Sequence, residues 1–95
     1  MNKTFNEKFE EQLSKDETYN ELKNKNVELM ERYNELTYIR AGKFKTFYDN
    51  LDDKLKQSIE HEFEEIKQQM LVLCHEMEQY EQQVYIQLII KEFLV

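Results

Sequence analysis

The chain has no proline and a single glycine, Gly42, in 95 residues. Proline and glycine are the usual punctuation of turns and helix ends, so a chain nearly without them has few places to reverse direction. Long helices are the elements that tolerate this best. Charged residues make up 35% of the chain and hydrophobic ones 40%, a balance that suits helices with one apolar stripe and a solvated remainder. The expected class is all-α.

The apolar spacing divides the chain into three helical segments. Phe5, Phe9 and Leu13 recur every four residues behind Thr4-x-x-Glu7, which has the form of a capping box. At about 100° per residue the next apolar residue, Tyr19, lies roughly 120° off that stripe. The face therefore changes, and a break is expected between Ser14 and Glu17, with Ser14-x-x-Glu17 as a second capping box. From Tyr19 the spacing alternates three and four through Leu22, Asn26, Leu29, Tyr33, Leu36 and Arg40. This is a coiled-coil seam, with Asn26 placed to fix register. A third segment begins at Asp49-Asn50-Leu51-Asp52-Asp53, whose side chains can accept the free amides of a first turn. Its apolar positions run Leu51, Leu55, Ile59, Phe63, Ile66, Met70, Leu73, Met77, Tyr80 and Val84.

The expected fold is a short N-terminal helix plus two long antiparallel helices, a coiled-coil-like helical hairpin, in one domain spanning residues 1–95. A turn at Gly42 leaves very unequal arms, whereas a turn near Asn50 divides the chain almost evenly. Gly42 is therefore expected inside a helix and the reversal at Asp49 to Asp53. Residue 50+k then faces residue 50−k, which sets Tyr19 against Glu81 and the segment from Val84 to Val95 against Phe5 to Asp16. Nine of those last twelve residues are apolar and point all round the helix. They are expected to pack as a cluster of Phe5, Phe9, Leu13, Tyr85, Ile89 and Phe93, and they are too few to span a membrane. Two helices bury only one seam each, so completion by oligomerisation is expected.

Charge and residue inventory exclude several function classes. A net charge of −7 opposes binding to nucleic acid, which rests on clustered Lys and Arg. The first residues lack the apolar run of a signal peptide, and the single cysteine, Cys74, has no internal partner; both predict a cytoplasmic protein. Cys74 and His75 are adjacent and diverge by about 100° on a helix, so they make a poor nucleophile pair. His61-Glu62-Phe63-Glu64-Glu65 has glutamate where a zinc helix needs its second histidine. No catalytic group, cofactor or metal site is expected, and the chain is read as a non-enzyme. Between Glu60 and Glu92 eight acids stand against Lys67 and Lys91, a row that serves as a solvated face or as an acidic mimic of DNA.

One stretch departs from this acidic pattern. From Leu36 to Tyr48 there is no carboxylate, while Arg40, Lys43 and Lys45 interleave with Tyr38, Phe44, Phe47 and Tyr48 around the adjacent Ala41 and Gly42. This mix can neutralise a phosphate and stack a ring. It can equally cover the end of a hairpin, with Gly42 closing the helix and the cations at its negative end, or present a protein-contact surface. Tyr38, Arg40, Gly42, Lys43, Phe44, Lys45 and Tyr48 are the candidate ligand- or partner-binding residues.

The abundance of Lys, Asn, Glu and Ile, with local echoes in Lys43-Phe44-Lys45-Thr46-Phe47 and Met77-x-x-Tyr80, resembles the short all-helical accessory proteins of bacteriophages and mobile elements. That resemblance implies a non-enzymatic role in the host cytoplasm, often antagonism of a host protein or defence pathway. The expected function is a self-associating helical interaction protein that binds and inhibits a host protein. The alternatives are an oligomeric sponge for a phosphate-containing cyclic nucleotide at the Arg40/Lys43 patch, a scaffolding oligomer, and the acidic DNA mimic.

Overall fold

The computed structural model describes residues 2–94; Val95, the last residue of the apolar tail, lies outside them. The described residues form four helices, α1 (Phe5–Lys15), α2 (Glu17–Ala41), α3 (Lys45–Asp49) and α4 (Asp53–Phe93). No strand occurs among them, and the class is all-α. Length alone suggests one domain, and the chain divides into two compact units. The terminal unit takes in the chain up to Lys25 and again from Leu73, and the hairpin unit is Asn26–Val72.

In the terminal unit, α1 starts where expected. Thr4 is extended, and its Oγ1 accepts a hydrogen bond from the Glu7 amide at 3.2 Å. The break before α2 also falls in the expected place, but Asp16 makes it, not Ser14. Asp16 leaves the helical region with ψ 115° while its N–H still bonds the Leu13 carbonyl. Its Oδ1 then accepts the Tyr19 amide at 2.8 Å, so one residue ends α1 and caps α2. Ser14 is turned back instead, its hydroxyl donating to the Glu11 carbonyl at 2.7 Å.

Leu13, Leu73 and Val84 are the buried apolar residues of this unit. The Tyr19 hydroxyl donates to Glu81 Oε1 at 2.8 Å, the pairing that a reversal at residue 50 requires. Tyr85 receives Phe5 and Phe9 edge-on, with ring centroids at 5.2 and 5.6 Å. Phe93 lies outside this cluster, 73% exposed. Both phenylalanines of α1 meet Tyr85 instead.

In the hairpin unit, the end of α2 and the start of α4 run antiparallel. Leu36, Phe63 and Ile66 form the core, with Leu29, Tyr33, Ile59 and Met70 packed against it. All are seam positions read from the spacing. Leu36, 1% exposed, stabilises the fold by about 1.5–3 kcal/mol through burial alone. The exception among the seam positions is Leu55, 55% exposed in the first turn of α4. Asn26 is half-buried, and its Oδ1 has no partner among the described residues. Such an orphan costs about 1–3 kcal/mol, which suits a register device better than a stabilising one.

Phe63 is the hub of the hairpin unit. Tyr33 stacks on its ring with centroids 5.0 Å apart and planes inclined by 22°. The Arg40 guanidinium carbon sits 4.0 Å from the ring centroid. An arginine at a seam position is thereby accommodated, since its guanidinium lies on an aromatic face and its Nε donates to Glu60.

Candidate functional site

The closed end of the hairpin unit contains the candidate residues and differs from the reading of the sequence in how it turns. Helix α2 stops at Ala41, so Gly42 ends the helix and does not lie within it. Its φ is not positive, and the left-handed glycine cap is therefore not used. The Gly42 amide completes a last helical bond to the Tyr38 carbonyl at 2.8 Å, and its own carbonyl accepts from Lys45. A Cβ at this position would meet the Tyr38 carbonyl oxygen at 2.3 Å and the Tyr38 ring at 2.8 Å. The bare α-carbon is thus already filled by Tyr38 from within the chain.

Beyond Gly42, the five residues of α3 span the reversal. Asn50 and Leu51 close it through bonds from their amides to the carbonyls of Phe47 and Tyr48. Helix α4 then begins on Asp52, whose Oδ1 accepts the Lys54 amide at 3.0 Å. The second long helix starts at the far end of the expected Asp49 to Asp53 stretch, because Asp49 and Asn50 close α3 instead, and the reversal is longer than a turn at one point.

Apart from Gly42, the candidate residues separate into two groups. Arg40 and Tyr48 face inward. Arg40 Nε donates to Glu60 Oε1 at 2.8 Å, and the Tyr48 hydroxyl donates to the same oxygen. Tyr48 is buried, 7% exposed. The Arg40 hydrogen bond, followed by that of Tyr48, holds the Glu60 carboxyl below the usual carboxylate range. Burial first, and then Glu60, pushes the Tyr48 phenol up. Arg40 is therefore engaged by a carboxylate of its own chain. The pairing rule that sets Tyr19 against Glu81 also sets Arg40 against Glu60, so the ion pair has a signal in the sequence.

The second group faces outward. Tyr38 and Phe44 are 60% and 54% exposed, and Phe47 is 69% exposed. Together with Ile39, Tyr48 and Leu51 they line a shallow groove of about 220 Å³. Phe44 and Phe47 lie 5.7 Å apart and tilted. Lys43 extends over the Phe44 ring at 5.6 Å, and Lys45 opens α3. Ile39 and Leu51 are additions that residue type did not single out. The outcome is an apolar groove with two outward lysines, and no convergent set of cations.

The acidic row from Glu60 is partly neutralised. Glu60 meets Arg40, Glu62 meets Arg32 in a two-pronged contact, Glu64 meets Lys67, and His61 Nε2 lies 3.0 Å from Glu65. The Arg32 hydrogen bonds hold Glu62 below its ordinary range. Cys74 is exposed, and no group of three His, Cys, Asp or Glu among the described residues is placed to hold a metal ion. No helix among them is long and apolar enough to cross a membrane.

The depressed Glu60 and Glu62 carboxyls give the hairpin unit an acid-sensitive stability. Their folded pKa values lie below the unfolded one of about 4.3, so the unfolded chain binds more protons between the two. Stability is complete above the unfolded value and falls as pH drops through the folded ones. Glu60→Gln is expected to lower stability at neutral pH by about 0.5–1 kcal/mol and to flatten the loss below pH about 4. Urea denaturation of both proteins across that range measures both effects.

Comparison with protein-family models, with curated proteins and with solved structures finds no match for the chain.

Proposed function

We propose that the chain is a non-enzymatic helical interaction protein that self-associates and docks on a host protein, with inhibition of that protein as the outcome. The observation that carries this reading is the apolar surface left uncovered by the hairpin unit. Val27, Met30, Leu71 and Val72 are 45–65% exposed on the long helices, and Tyr38, Phe44 and Phe47 more than half exposed at the closed end. A short chain that exposes so much apolar surface lowers its free energy by covering it with another chain.

The two exposed groups have different roles. The long-helix group lies along α2 and α4, and it completes the bundle with a second copy. The closed end combines aromatic side chains with Lys43 and Lys45, which suits a partner surface carrying apolar and acidic residues. A replacement of Leu71 and Val72 by lysine is expected to reduce the mass in light scattering to that of one chain while helicity is kept. Phe44→Asp with Phe47→Asp is expected to keep the mass and to lose a host protein captured from lysate. A wild-type protein that remains a single chain, and captures nothing that depends on Phe44 and Phe47, contradicts the reading.

A further inference from the structure

The terminal unit holds a second apolar groove, separate from the closed end, of about 330 Å³. Its apolar lining is Phe9, Tyr85 and Ile86, and its polar lining is Glu78, Glu81 and Gln82. The floor is set by the two edge-on contacts that Phe5 and Phe9 make with Tyr85. Tyr85 and Ile86 nevertheless remain 45% and 55% exposed. Ile90 and Phe93, 46% and 73% exposed, follow Ile86 at spacings of four and three and continue its face along α4.

The charge at this groove has one sign. Glu78 and Glu81 have no cationic partner among the described residues, and no lysine or arginine lines the groove. Glu81 accepts the Tyr19 hydroxyl. Burial, then Glu81, and finally the nearby charge of Glu10 push that phenol up to about 12.

We propose that this groove docks a basic amphipathic helix of a partner protein. The apolar stripe of such a helix would lie on Phe9, Tyr85, Ile86 and Ile90, and its flanking Lys or Arg would meet Glu78 and Glu81. Helix-in-groove recognition places apolar anchors at spacings of three and four, the repeat that Ile86, Ile90 and Phe93 offer. Charge selects the occupant. An acidic rim attracts a basic helix and repels an acidic one, and a net charge of −7 sets a second copy of this chain at a disadvantage here.

The test is a fluorescence-anisotropy titration of the whole protein into a labelled Leu/Lys peptide with one apolar stripe. A length of about 18 residues suffices for a helix on binding. The expected result is saturable binding, with a composition-matched scrambled peptide and a Leu/Glu peptide about tenfold weaker or worse. Ile86→Asp separates docking from simple attraction. It makes the protein more acidic, so attraction alone would tighten binding, whereas docking in the groove predicts about tenfold weaker binding. Glu78→Lys is expected to weaken binding in the same direction, and circular dichroism checks that both variants stay helical. Binding that is unchanged or tighter in Ile86→Asp overturns the proposal, as does equal affinity for the scrambled peptide. An oligomer that Ile86→Asp dissolves, and that excludes the peptide, overturns it in favour of a second copy.

Discussion

Replacing Phe63 by alanine is expected to cost about 3–5 kcal/mol, a large share of the 5–15 kcal/mol typical of a folded domain. The ring is 6% exposed within the core of Leu36, Phe63 and Ile66. Its loss leaves a cavity between α2 and α4 in the hairpin unit and removes the surface on which Tyr33 stacks. It also strips Arg40 of the aromatic face that lets a guanidinium occupy a seam position. Phe63→Leu restores much of the volume without the ring and is expected to cost less, about 1–1.5 kcal/mol. Urea denaturation followed by circular dichroism measures both. A Phe63→Leu variant as stable as the wild type within experimental error would mean that neither the stack nor the arginine contact contributes.

Gly42→Ala is expected to destabilise by about 1–3 kcal/mol, although exposed alanine usually outperforms glycine near a helix. The sign reverses because the new Cβ would lie 2.3 Å from the Tyr38 carbonyl oxygen. That atom is backbone and already accepts the Gly42 amide, so relief requires the last turn of α2 to open. The ring contact is secondary, and Tyr38→Ala is therefore not expected to rescue Gly42→Ala. Thermal denaturation of the two single variants and the double variant decides this. Full rescue would assign the whole effect to the side chain.

The seams were legible because helical periodicity constrains every third or fourth residue, and the core residues Leu36, Phe63 and Ile66 all lie on the positions it marks. Antiparallel pairing about residue 50 was legible for the same reason, as Tyr19 against Glu81 shows. The helix junctions were less so. Ser14 and Asp16 are both good caps two residues apart, and only the backbone turning at Asp16 selects between them. The closed end was least legible, since α3 is too short to carry a periodic signal and the packing of Tyr38 against Gly42 is a contact, not a pattern. Its neighbours in sequence make Arg40 resemble a ligand-binding cation. Its seam position pointed to the interior, where the structure places it against Phe63 and Glu60.

Apolar surface in excess of what one chain can cover ties these features to the proposed role. Its most direct test is the thermal midpoint of the wild-type protein measured over about a hundredfold range of concentration, since association of folded chains stabilises them by mass action. Self-association predicts a midpoint that climbs with concentration, and a climb lost when Leu71 and Val72 are replaced by lysine. A midpoint independent of concentration, in a protein that sediments as one chain throughout, would contradict it.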